Sequence, residues 1–112
     1  VQAVLRIGPL PGAALDAAAA FHAVYLPQVR QALAGADSLV IVFGTSAGEH
    51  SDWRKLAVAD LAREAAPGRV NGVTGTGDDG AIEATVAWLE GAGGITGQLF
   101  TVEATNAGNP PE

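Results

Sequence analysis

Four short runs rich in apolar and β-branched residues punctuate this chain, at 3–7, 38–43, 69–73 and 98–102. Stretches with helical spacing fill the gaps between them, at 13–33, 52–65 and 81–89. The runs are continuous in hydrophobicity rather than alternating, the pattern of strands covered on both faces. Strand, helix, strand in this rhythm implies crossover connections and a parallel sheet, and such crossovers are almost always right-handed. The expected fold is therefore α/β: a three-layer, Rossmann-like half-fold with four parallel strands and three helices lying on both faces.

Local punctuation supports the same division. Pro9, Pro11 and Gly12 close the first strand, Gly35 follows the first helix, and Pro67 with Gly68 follows the second. Asp78 or Asp79 is placed to cap the third helix, where a carboxylate accepts orphan amide protons. Pro27 falls inside the first helical stretch, and because Leu26, Val29 and Leu33 keep the apolar rhythm a kink is expected there rather than a break. Residues 1–104 are read as one domain and 105–112, with Asn, Gly and Pro, as a flexible tail.

Composition narrows the classes of function. With 48% hydrophobic and 16% charged residues the chain is not generally disordered. Six basic residues against twelve acidic ones give a net charge of −6, which repels nucleic acid and anionic membranes. The absence of cysteine removes disulfides, thiolate nucleophiles and Cys-ligated zinc, and fits a cytoplasmic location. No apolar run approaches the ~20 residues that cross a bilayer. The chain starts at Val1 and has no methionine, as expected of a processed chain or part of a longer polypeptide.

Several segments share a family pattern. Residues 21–33 carry Leu26–Pro27 in a helix; 38–46 read SLVIVFGTS; 69–75 read RVNGVTG, close to "RVNAVAPG"; and 95–102 read ITGQLFTV, close to "VTGQVLTVDGG", preceded by Ala87, Trp88 and Leu89. In this order they resemble the C-terminal half of the short-chain dehydrogenases/reductases, over about residues 13–103. The resemblance implies that the four strands stand where the family has its fourth to seventh, and that the dinucleotide-binding half is missing. It also implies a degenerate catalytic set. Lys55 matches the family's lysine, which makes Ser51 the position of the proton-donating tyrosine, and a serine hydroxyl cannot take over that role. Ser46 or Thr45 matches the substrate-orienting serine, at a spacing from Ser51 shorter than the family's. The helix asparagine falls near Ala14, and the one tyrosine, Tyr25, lies mid-helix. No catalytic, cofactor-binding or metal-binding residue is assigned; Ser46, Ser51 and Lys55 are remnants.

Other arrangements read as structure. The string Gly75, Thr76, Gly77, Asp78, Asp79, Gly80 has the form of a phosphate loop, yet its two aspartates would repel a pyrophosphate, so a capped turn is expected. Ser46, His50 and Asp52 are too close in sequence to converge as a triad and read as a polar loop leading to a helix capped by Ser51. His22 and His50 lack metal-ligand spacing. Arg54, Lys55, Asp60, Arg63 and Glu64 read as a solvated helix edge with i,i+4 pairs worth ~0.3–0.5 kcal/mol each.

Two helices carry more apolar surface than one sheet contact needs. In the second, Trp53, Leu56, Ala57, Val58, Leu61 and Ala62 exceed a ~100° stripe, and in the first the run 17–20 is followed by Phe21, Val24 and Tyr25. Phe21, Tyr25, Trp53, Leu56, Trp88 and Phe100 are the interface candidates. The functional expectation is a non-catalytic domain that acts by self-association, or as an accessory to a larger reductase-like partner. The alternative is a residual NAD(P)-dependent oxidoreductase or small-ligand binder using the cleft at the C-terminal ends of the strands.

Overall fold

The computed structural model describes residues 1–45, 48–75 and 79–102. Its elements run β1 (Gln2–Arg6), α1 (Ala14–Val24), α2 (Leu26–Ala34), β2 (Ser38–Phe43), a 3₁₀ turn (Gly48–His50), α3 (Ser51–Ala65), β3 (Arg69–Gly75), α4 (Asp79–Glu90) and β4 (Leu99–Val102). The four strands form one sheet in the order β1-β2-β3-β4, all parallel. The α/β class and the parallel sheet are as expected from sequence; the helix count is four, not three. The predicted tail at 105–112 and the cap at Asp78 lie outside the described residues, as does the side chain of Asp79.

The extra helix comes from Pro27. The chain breaks at Tyr25 instead of kinking, and Pro27 falls in the first turn of α2, where its missing N–H costs nothing. The break is shallow. Tyr25 N–H still donates to the Phe21 carbonyl, the Tyr25 carbonyl still accepts from Val29 N–H, and the Gln28 side-chain amide donates to the Val24 carbonyl.

Two apolar cores flank the sheet. On one face Leu39, Ile41, Phe43 and Val70 pack under α1, α2 and α3, against Phe21, Val29, Ala57, Val58 and Leu61. On the other Val40, Val42 and Val73 pack under Ile82, Val86 and Leu89 of α4. Every residue of β2 is buried, which explains its continuous hydrophobicity. Full burial of each such side chain contributes ~1.5–3 kcal/mol.

The first two crossovers thus pass over one face and the third over the other, while the strand order keeps advancing in one direction. The β3–α4–β4 connection therefore has the opposite hand from the other two, and the general right-handed rule fails there. A crossover of the common hand would have left the Val40, Val42 and Val73 face bare. Covering that face outweighs the preference.

Polar groups tie down the connection after α4. The Arg69 guanidinium donates to the carbonyls of Leu89 and Ala92, serving the C-terminal end of α4. Buried Asn71 donates to the Ile95 carbonyl at 3.0 Å and accepts from Gln98 N–H at 3.1 Å, so one side chain fixes the approach to β4.

Candidate functional site

The C-terminal ends of β1 and β2 open into a cleft of about 510 Å³, lined by the 7–12 segment together with Gly44, Thr45, His50 and Arg54. The segment after β1 is pinned at both ends. Gly8 N–H donates to the Tyr25 hydroxyl at 2.9 Å, and the Gly12 carbonyl receives the His50 Nε2 hydrogen at 3.0 Å. His50 Nδ1 in turn accepts from Trp53 Nε1 at 3.0 Å. Because an indole nitrogen only donates, Nδ1 is the bare nitrogen and Nε2 carries the hydrogen.

Beneath the cleft lies an aromatic cluster. The Phe21 ring centroid stands 5.6 Å from both Phe43 and Trp53, and 6.1 Å from Tyr25. Trp53 therefore spends much of its surface within the molecule, which accounts for part of the apolar breadth of α3.

Arg54 occupies the floor. Only 6% exposed, it donates from Nη1 to the Gly44 carbonyl at 2.9 Å and to the Thr74 hydroxyl at 3.0 Å. Its guanidinium carbon sits 4.9 Å from the Phe43 ring centroid and 5.7 Å from that of Trp53. Its Nε is buried with no hydrogen-bond partner among the described residues. Burial pulls the Arg54 pKa below the usual arginine value, although the group remains a cation. The reading of Arg54 as part of a solvated edge is thus corrected. Residue 54 lies three, four and seven positions before the buried Ala57, Val58 and Leu61, so helical phase turns it inward.

Lys55, one position on, is exposed, and Ser51 opens α3 without capping it. The N-cap position is His50, whose ring serves Gly12 and Trp53 instead. The pair facing the strand ends at i,i+4 spacing is accordingly His50 and Arg54, not Ser51 and Lys55. The same spacing one residue earlier, read with the phase of α3, is the signal that identifies it. Among the described residues both nitrogens of His50 are engaged, by Gly12 and Trp53, and Asp52 points to solvent. Ser46 lies outside the described residues.

The interface candidates separate into two groups. Phe21 has no exposed surface to offer a partner, Tyr25 holds Gly8, and Trp53 is half-buried. Leu56 on α3 is 62% exposed and Trp88 on α4 is 55% exposed, the latter edge-on to the half-buried Phe100 at 6.1 Å. The solvent-facing pairs on α3 also differ from expectation: Asp60 pairs with Arg63 at i,i+3, and Glu64 reaches across to Arg30 of α2. Among the described residues no group of three His, Cys, Asp or Glu side chains could hold a metal, and no helix is long and apolar enough to cross a membrane.

No curated protein and no solved structure matches the chain. The family model for short chain dehydrogenase-like proteins matches residues 5–102, nearly its whole length. With the parallel four-stranded sheet and the motif order 69–75 then 95–102 in place, the chain belongs to the short chain dehydrogenase-like family.

Proposed function

We propose that this chain is a non-catalytic, cytoplasmic member of its family that works by association, and that β1 joins it to a second copy of itself. The carrying observation is the state of β1. Among the described residues only one of its edges is paired, to β2, and α4 packs over β2, β3 and β4, leaving Val4 44% exposed. An open edge with an uncovered apolar side chain is a template for another strand. Two-fold symmetry makes such a pairing antiparallel. Centred on Val4, it sets Gln2 of one copy opposite Arg6 of the other and extends each sheet into the next.

The non-catalytic half of the proposal rests on the site. Where the family resemblance calls for a tyrosine and a lysine, Ser51 is a weakly acidic hydroxyl and Lys55 faces solvent. The residues present do not fit the family's dinucleotide either. The loop from β1 to α1 contains two prolines without N–H groups, and its Gly8 N–H is spent on Tyr25. Gly75 is explained by packing, since a Cβ there would lie 2.8 Å from the Val102 carbonyl and 3.1 Å from Ile82. A larger reductase-like partner along the same edge is the competing form of association.

Light scattering on the eluting protein tests the reading. The expected mass is about twice 11.2 kDa, falling to the monomer in Val4→Lys, whose charge sits at the open edge. A monomer at tens of micromolar wild-type protein contradicts it. A second reading, small-ligand binding in the cleft beside His50 and Arg54, is favoured by the buried Arg54 guanidinium, which has no counter-ion among the described residues.

A further inference from the structure

We propose that the cleft at the ends of β1 and β2 binds a small organic acid, its carboxylate against the Arg54 guanidinium and its apolar body along Ile7, Leu10 and Pro11. This rests on the ligand-binding reading of the cleft and names the ligand class.

Arg54 is a buried cation without a counter-ion among the described residues. The four ion pairs there all join exposed groups and none includes it. Burying a charge is costly unless it is paired and hydrogen-bonded. The Gly44 carbonyl, the Thr74 hydroxyl and the Phe43 ring offset part of that cost through Nη1 and the guanidinium face. A role as a clamp between the ends of β2 and β3 explains Nη1. It leaves the cation without a counter-charge, and Nε, a buried donor, without a hydrogen-bond partner among the described residues.

The cleft has the volume of ordinary small-molecule sites. Its rim is already held in place by the Tyr25–Gly8 and Gly12–His50 bonds, so little ordering is required on binding. The charge inventory selects the ligand. Arg54 is the one arginine or lysine among the lining residues, the His50 ring spends both nitrogens on Gly12 and Trp53, and the whole chain carries −6. One fixed positive charge beside an apolar wall suits a monocarboxylate better than a phosphate carrying two charges.

Arginine Nε–H groups are read directly in ¹H–¹⁵N spectra of the intact chain titrated with sodium benzoate, benzamide or inorganic phosphate. The Arg54 resonance is assigned by its loss in Arg54→Lys, or by correlation to the Arg54 backbone where that variant does not fold. The expected result is a saturable downfield movement with benzoate, together with the Gly12 and Thr45 amides, and affinities about tenfold or more weaker for benzamide and phosphate. An equal response to benzamide overturns the proposal. A response to phosphate alone overturns the carboxylate assignment and leaves the ligand-binding reading standing, whereas no saturable response to any of the three overturns both.

Discussion

The indole N–H of Trp53 donates to Nδ1 of His50 across 3.0 Å, and that bond fixes the tautomer of a ring whose other nitrogen holds the β1–α1 loop at Gly12. A core aromatic residue on α3 thereby controls a loop that rims the cleft. In Trp53→Phe the ring loses its orienting donor while most of the apolar packing remains. The variant is expected to be less stable by about 1–2 kcal/mol in urea unfolding. It should also lose the nitrogen-shift signature of a hydrogen on Nε2 alone. Unchanged nitrogen shifts would show that Trp53 does not set the tautomer.

Two glycines near the site differ in what surrounds them. A Cβ on Gly72 would lie 2.9 Å from both the Val58 and Leu99 side chains, because α3 and β4 approach β3 that closely. Gly72→Ala is expected to cost about 1–3 kcal/mol through overpacking. At Gly44 a Cβ meets nothing within 4 Å. Gly44→Ala is expected to be neutral, or stabilising by up to ~1 kcal/mol through the unfolded chain. Thermal melts of the two variants side by side check the contrast.

Asn71 is buried and bonds two backbone groups in the segment before β4. Replacing it with leucine leaves the Ile95 carbonyl and the Gln98 N–H without their bonds. The expected loss is about 2–4 kcal/mol, measured by urea unfolding. Hydrogen exchange should speed up first in β4.

Glu64 receives both Nε and Nη2 of Arg30, at 3.0 and 2.8 Å, and this hydrogen bonding holds its carboxyl below the ordinary value. A carboxyl with a lowered folded pKa adds stability above its unfolded pKa, and that contribution disappears as pH falls through the folded pKa. The melting-temperature difference between wild type and Glu64→Gln should therefore be largest near neutral pH and vanish in strong acid. Both side chains are exposed, so the difference should be small and should shrink with added salt. A gap that persists at the lowest pH would contradict this assignment.

The strands were legible because their β-branched runs reflect burial on both faces, most clearly in β2. The break at Tyr25 was not, since Pro27 fits a kinked helix and the first turn of a new one equally well by local pattern. The hand of the third crossover is set by which sheet face remains uncovered, and no local sequence encodes that. Arg54 was hidden by its residue type: grouped with neighbouring charges it reads as solvated, although its phase relative to Ala57, Val58 and Leu61 already turned it inward. Ser51 and Lys55 match the family's spacing but stand one residue out of step with His50 and Arg54, the side chains that face the cleft.

Association through β1 is tested most directly by amide hydrogen exchange along that strand. Ile7 N–H bonds to Val42 of β2, so by strand alternation the Leu5 amide also points inward while those of Val4 and Arg6 point to the open edge. Pairing of two copies requires slow exchange at Val4 and Arg6 that quickens on dilution, with Leu5 slow throughout. Fast exchange at Val4 and Arg6 at every concentration, beside a protected Leu5, would mean that the edge is open and that association does not occur there.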